Sequence, residues 1–402
     1  MKGREGSHAL WYCSANHAYV HLIELSWPVI AALMKSEYGW GYTITFLFAS
    51  LPGMAFGFGS FPGGIVADKL GSFKTIFLGN VWAVLMSLLI LITNNIYLLA
   101  AEFFFLGLAI SFYHPAGLNA ISSIFKDRRG KAMGFHGFVG SLGQQISPLS
   151  VGIVASFWFG WKAITLVWIA VGLPFIVLGY RFVKDDPERE TEEKTPERYR
   201  EAAKTLLKIT PLLILFFLTF RGFYYRGFIT ALPTIYRDLF HLSDLSMSFF
   251  TTMFFISALP GHIIGGWTSD RWGSPRSLTF YTTLNVMAAV VIMLAAGNLA
   301  VFVVGVCVFG FSFFATQPPV NTMVAEVTMK NVRGLFYGLS FATRFGVAFL
   351  GTIAMGVASD VYGLTVIFPL VFLFTLVGLA STLGLGRIIS LESKKQTHWE
   401  GE

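Results

Sequence analysis

The chain has 402 residues, of which 54% are hydrophobic and only 13% charged, and its mean hydropathy is +0.64. About a quarter of a soluble domain is charged, so this composition excludes an ordinary water-soluble fold and requires a polytopic membrane protein. The formal net charge is +7, but the basic residues sit between apolar segments rather than in a patch, which argues against a nucleic-acid partner. Cys13 and Cys307 lie far apart, as neither a disulfide framework nor a metal site.

A helix needs roughly 20 apolar residues to cross the hydrocarbon core. In chain order the sequence predicts twelve such helices, numbered 1 to 12, at 16–35, 42–67, 73–94, 97–125, 131–158, 162–183, 209–236, 245–269, 276–296, 299–327, 334–359 and 363–388. The first run is long enough to span and lacks a small-residue cleavage site, so no cleavable signal peptide is expected. Lys and Arg set orientation. Placing the N-terminus in the cytoplasm puts 23 of the 29 basic residues on the cytoplasmic side and only Lys35, Lys162 and Arg237 outside. Both termini are therefore expected in the cytoplasm of a plasma-membrane protein. The polar run at 184–208, with charges of alternating sign, reads as a cytoplasmic linker between an N-terminal bundle at 1–183 and a C-terminal bundle at 209–402 with a short tail.

The two halves repeat. "GGIVADKLGSFK" (63–74) recurs as "GGWTSDRWGSPR" (265–276), so Gly64, Asp68, Lys69, Gly71 and Lys74 match Gly266, Asp270, Arg271, Gly273 and Arg276. After the fourth helix of each half, "RRGKAMG" (128–134) echoes "VRGLFYG" (332–338). Repeated halves of this kind belong to transporters that bind near the bilayer midplane and rock around that site. The motif Gly-x-x-x-Asp-[Arg/Lys]-x-Gly-x-x-[Arg/Lys], present twice with twelve spans, resembles the signature loop of the major facilitator superfamily. The resemblance implies an all-α fold of two six-helix halves related by pseudo-two-fold symmetry, with a gating role for the ten motif residues. Gly71 and Gly273 suit a tight turn where a β-carbon would clash, and Asp68 and Asp270 suit a contact that breaks as the halves move.

An ionisable side chain at the bilayer centre costs at least about 2.5–3.5 kcal/mol and normally faces a cavity or a partner. Helix 1 holds His17, His21 and Glu24, helix 4 Glu102 and His114, helix 5 His136, helix 7 Arg221 and Arg226, helix 8 His262 and helix 11 Arg344. Counted from the predicted ends, Glu24, His114, Arg221 and Arg344 lie near mid-membrane, whereas His17, His136 and His262 lie nearer the cytoplasmic interface. His17, His21 and Glu24 are spaced i, i+4, i+7 and share one helix face. Helices 1, 4, 7 and 10 line the cavity in the superfamily, and helix 10 adds Gln317 and Asn321 beside two prolines. Helix 1 also resembles that of the fosmidomycin-resistance branch, whose pattern is His-x-x-x-Asp followed seven residues later by Pro. His17, His21 and Pro28 keep the spacing with histidine at the Asp position, so Glu24, one turn on, is expected to replace it. "SFYHPAG" around His114 and "FRGFYYRGFITALP", from Arg221 to Pro233, carry the same resemblance, and Gly140, Gly143, Pro148 and Gly152 in helix 5 are partly like drug–proton antiporters.

These readings converge on a secondary transporter. The sequence has no phosphate-binding Gly-x-x-x-x-Gly-Lys-[Ser/Thr] loop, no His-Glu-x-x-His and no Gly-x-Ser-x-Gly, so neither ATP hydrolysis, an enzyme, a metal nor a cofactor is expected, and the proton gradient is the expected driving force. Histidine and a semi-buried Glu titrate near neutrality, which assigns Glu24, His21 and His114 to proton coupling. The guanidinium fork suits carboxylate and phosphonate. Arg221, Arg226, Arg344, Gln317, Asn321 and His17 are therefore expected to bind a small organic, anionic or drug-like solute, with a proton weakening a Glu24–Arg pairing during export by antiport. Proton-symport uptake of an organic anion and a non-transporting receptor are the alternatives. The expected partners are the solute and the lipid bilayer, with the monomer as the working unit.

Overall fold

The structure, a computed structural model, describes residues 4–125, 128–157, 160–183, 208–295, 297–327 and 339–399. Among the described residues there is no strand. Twelve helices are long and apolar enough to cross a membrane: Gly6–Tyr38, Tyr42–Leu70, Ser72–Ile92, Ile96–Ile124, Arg129–Phe157, Trp161–Val183, Ile209–Asp238, Asp244–Trp272, Ser274–Leu294, Leu299–Val324, Leu339–Tyr362 and Leu364–Ile388. They are helices 1 to 12 of the sequence. Helix 1 starts earlier than the hydropathy implied, because Ala9, Tyr12 and Cys13 are buried. Tyr12 Oη donates to the Phe175 carbonyl at 3.3 Å, and Tyr113 Oη donates to the carbonyl of Cys13. Most of the linker expected at 184–208 and the repeat copy at 332–338 lie outside the described residues.

Compactness divides the chain between residues 192 and 193, within the expected linker, and again inside helices 7, 8 and 11. The first unit gathers helices 1 to 6 with Ile229–Thr252 and Thr352–Asp360; the second holds the other parts of helices 7, 8 and 11 with helices 9, 10 and 12. Polar contacts explain why those two segments join the first unit. Lys35 Nζ pairs with Asp238 Oδ2 at 2.9 Å, and Tyr42 Oη donates to the same oxygen at 3.2 Å. The Asp360 carboxylate accepts from the backbone N–H groups of Tyr42 and Thr43 at 2.7 and 2.9 Å, capping the otherwise unsatisfied start of helix 2.

Local geometry repeats at an offset of 202 or 203 residues. Gly71 (φ 93°) and Gly273 (φ 83°) each turn the chain in one residue between helices 2 and 3 and between 8 and 9. Gly160 (φ 79°) and Gly363 (φ 84°) both lead into a short 3-10 turn. Asn95 and Asn298 cap helices 4 and 10 with their side-chain oxygens. Gly64 lies against Pro115 as Gly266 lies against Pro318.

Prolines interrupt the helices beside the polar residues. Proline has no N–H, and its ring clashes with the carbonyl four residues back. In helix 1, Pro28 cannot bond to the Glu24 carbonyl, and regular helix stops at Glu24 and resumes at Trp27. The Ser26 N–H goes to Ile23 O at 3.3 Å. Leu22 O is satisfied instead by the hydroxyls of Ser26 (2.6 Å) and Ser147 from helix 5 (2.7 Å). Helix 4 breaks at Phe112 before His114-Pro115, and helix 10 at Thr316 before Pro318-Pro319. Helix 11 widens into a π-helical turn, Ala342–Val347, that contains Arg344.

Gly143 decides how closely helix 5 approaches helix 1. A β-carbon there would collide with the Ala18 backbone, which cannot yield as a flexible side chain would. Gly143→Val is expected to destabilise by about 1–3 kcal/mol through overpacking, whereas Gly134→Ala on the same helix, where a β-carbon meets nothing within 4 Å, is expected to be neutral or slightly stabilising. Thermal unfolding of the two variants in detergent checks the contrast.

Candidate functional site

The polar centre of the first unit lies on helices 1, 4 and 5, beside the breaks at Pro28 and Pro115. The helix-1 face read from sequence is a hydrogen-bonded chain. His21 Nδ1 lies 2.7 Å from Glu24 Oε2, and His21 Nε2 lies 3.1 Å from His17 Nε2. Both His21 and Glu24 are buried, at 6% and 2% exposure. His17 Nδ1 lies 3.1 Å from the backbone carbonyl oxygen of His136. The Gln144 amide lies 3.3 Å from His21 Nε2. The His114 ring stands edge-on to both helix-1 imidazoles, with centroids 5.1 Å from His17 and 5.3 Å from His21.

These contacts constrain the protons. A carbonyl oxygen only accepts, so His17 Nδ1 carries its hydrogen, and Nε2 of the neutral ring is then an acceptor. For the two Nε2 atoms to bond, one must carry a hydrogen: either His21 Nε2 donates, with the Gln144 amide turned to present its oxygen, or a doubly protonated His17 donates and His21 Nε2 also accepts from the Gln144 amide N–H. His21 Nδ1 then either donates to an ionised Glu24 or accepts from a protonated one. Either way His17, His21 and Glu24 together hold one proton more than two neutral imidazoles beside a carboxylate. Removing that proton leaves two nitrogen lone pairs facing one another at 3.1 Å, a repulsive contact that the chain relieves by moving.

His17, His21, Glu24 and His114 are thus brought together. Sequence depth put His17 and His136 nearer the cytoplasmic interface than Glu24; the structure stacks their rings at 4.2 Å beside the cluster. Sequence reasoning passed over Gln144 and the Ser26–Ser147 pair (3.1 Å), although both residues of helix 5 lie one turn from the glycines that let it approach. Glu102 lies elsewhere, accepting from Thr93 Oγ1 at 2.6 Å.

The second unit carries the cations. Arg221 is 3% exposed, with Nε donating to Thr316 Oγ1 (2.9 Å), Nη2 to the Phe313 carbonyl (3.2 Å), and the guanidinium 3.8 Å above the Phe313 ring. Among the described residues, its partners are neutral oxygens and a ring, not a carboxylate. Arg226 lies 4.3 Å over the Phe345 ring. Arg344 is buried in the π-helical turn. Gln317 Nε2 donates to Asn321 Oδ1 at 3.1 Å. His262 packs on Phe314.

The model of the Major Facilitator Superfamily matches residues 22–352. The chain belongs to this superfamily. Its members are transporters rather than enzymes, and this chain is an integral membrane transporter of some solute. The riboflavin transporter RibZ of Clostridioides difficile is 28% identical over 40% of the chain, and the match spans only 35% of that relative's length. The fosmidomycin resistance protein of Escherichia coli is 22% identical over 68% of the chain and 67% of its own length. The crystal structure of a bacterial homologue of the human lysosomal transporter Spinster, inward-facing and occupied, superposes with a TM-score of 0.78 at 13% identity, covering 96% of this chain and 98% of that one. This last likeness is one of fold.

Thr316→Val removes the acceptor of Arg221 Nε while keeping the side-chain shape. A hydrogen bond from a charged donor contributes about 1.5–3 kcal/mol, so this variant is expected to lose about that much stability, read as a lowered midpoint in detergent thermal unfolding. A midpoint equal to wild type would show that the bond contributes nothing.

Proposed function

We propose that the protein is a proton-coupled secondary transporter of a small organic anion or drug-like solute, working by alternating access and favouring export by antiport. The single observation that carries this reading is the hydrogen-bonded chain Glu24–His21–His17, whose bonding requires one exchangeable proton. His114 and Gln144 complete its surroundings. His21 is the partner of Glu24 on which this reading rests. Protonation holds the chain together; loss of the proton sets His17 and His21 against one another and loosens helix 1 at its Pro28 break.

Arg221 is read as the anion-binding group, assisted by Arg226, Arg344, Gln317 and Asn321. A buried guanidinium balanced by neutral oxygens alone gains most from an incoming carboxylate or phosphonate, which it can bind through a two-pronged contact. The fosmidomycin and riboflavin relatives make those two compounds sensible first probes. The loops at Gly64–Lys74 and Gly266–Arg276 serve as gates, each turning on a positive-φ glycine. The distribution of basic residues supports cytoplasmic termini and a plasma-membrane location, and the working unit is read as a monomer driven by the proton gradient.

The test uses proteoliposomes under an imposed pH gradient of either sign, with fosmidomycin and riboflavin as probes beside a set of small carboxylates. Wild-type protein is expected to move a probe against the proton gradient. Glu24→Gln is expected to abolish the response to the gradient while retaining probe binding, whereas Arg221→Lys is expected to weaken binding about tenfold or more, a difference of about 1.4 kcal/mol. Undiminished gradient-driven flux in Glu24→Gln sinks the coupling assignment, and accumulation with the proton gradient identifies uptake by symport instead.

A further inference from the structure

We propose that His17, His21 and His114 form a binding site for one divalent transition-metal cation of the zinc class. One ring nitrogen from each of these three residues lies within 4.8 Å of the others. His17 and His21 are spaced i, i+4, the arrangement by which a single helix offers two imidazoles to one metal. Their Nε2 atoms lie 3.1 Å apart. Ligands at about 2.0–2.1 Å from a tetrahedral zinc ion are separated by roughly 3.3–3.4 Å, so those two nitrogens need only a few tenths of an ångström to accept it. The third ring comes from helix 4, edge-on to both, which is why spacing along the sequence did not reveal the set.

The surroundings of the rings point the same way. Metal-binding histidines almost always anchor their other nitrogen on a carboxylate or backbone carbonyl, which fixes the tautomer and aims the lone pair at the ion. Here Glu24 holds Nδ1 of His21 at 2.7 Å and the His136 carbonyl holds Nδ1 of His17 at 3.1 Å. Both Nε2 atoms are thereby left as the ring nitrogens free to bind an ion, 3.1 Å apart. Three protein ligands leave a fourth position for water or an anionic oxygen, the pattern of open rather than structural zinc sites. Gln144, at 3.3 Å from His21 Nε2, borders that position. An all-imidazole set selects zinc, cobalt, nickel and copper over magnesium and calcium. A bound metal takes the place of the shared proton and ties helix 1 to helix 4, so it is expected to arrest transport. The site stands on its own geometry and does not depend on proton coupling.

The experiment titrates zinc chloride into full-length protein purified without a histidine tag, by calorimetry, with cobalt chloride absorption as the reporter of coordination. About one metal per chain and the intense visible bands of tetrahedral cobalt are expected, with no binding of magnesium. His17→Ala and His114→Ala are each expected to weaken zinc binding by about 100-fold or more, and Glu24→Gln by about 10-fold, as loss of an outer-sphere partner does. His262→Ala, which removes a membrane histidine outside the cluster, is expected to leave binding unchanged. Wild-type protein that binds no zinc, or binds it with equal affinity when His17 or His114 is replaced, overturns the proposal. The wild-type cobalt spectrum keeps it falsifiable even where a variant fails to fold. Because binding is read in detergent without flux, the metal site and proton coupling can fail separately.

Discussion

The contact between His21 Nδ1 and Glu24 Oε2 organises the first unit. A carboxylate at 2% exposure in an apolar helix is tolerated only with a partner, and this partner lies on its own helix, one turn away. The contact orients the His21 ring, the ring aims Nε2 at His17, and His17 is in turn held by a backbone carbonyl of helix 5. Two helices are therefore referred to one carboxylate. Helix 5 can serve as the far anchor only because Gly143 brings its backbone against that of Ala18. A larger residue would lengthen the His17–His136 bond before it touched any ionisable group.

Pro28 supplies the other half of the arrangement. It cannot donate to the carbonyl four residues back, so the regular helix is interrupted beside its buried charge. The free Leu22 carbonyl takes hydroxyls from Ser26 and Ser147, bonds that are individually modest and that bridge the break without stiffening it as a continuous helix would. The same design recurs where His114 precedes Pro115 and where Gln317 precedes Pro318. At these equivalent positions of the repeat, one half places an imidazole and the other a neutral amide. The fold is thus duplicated while the chemistry is not: His17, His21, His114 and Glu24 collect in the first unit, and the buried Arg221 and Arg344 lie in the second.

The spans were legible in the sequence because hydrocarbon thickness sets helix length, and the repeat because Gly71 and Gly273 require a backbone conformation that other residues seldom adopt. The one-sided spacing of His17, His21 and Glu24 was legible for the same kind of reason, since helical periodicity puts them on one face. What escaped was whatever depends on a second helix. The stacking of His17 on His136 across helices 1 and 5 is one example, because depth counted along single segments cannot see a contact between two of them. Gln144 and Ser147 carry no charge and therefore raised no alarm in an apolar segment. The division of compact units inside helices 7, 8 and 11 was equally invisible, since it rests on Lys35, Tyr42, Asp238 and Asp360, ordinary polar residues at helix ends.

Arg221 shows how far a neutral environment can carry a buried cation. Its guanidinium is met by a hydroxyl, a backbone carbonyl and the face of Phe313. Each of these partially replaces hydration, and the ring adds a cation–π attraction of about 2 kcal/mol when desolvated. None of them supplies a compensating charge. Thr316 and Phe313 offer these groups because the proline pair ends regular helix there and turns a hydroxyl and a carbonyl towards helix 7. Replacing Thr316 by a carboxylate would satisfy the arginine more completely and would by the same act leave it nothing to gain from an anionic solute. On the proposed reading, that incomplete neutralisation is what an anionic solute would complete.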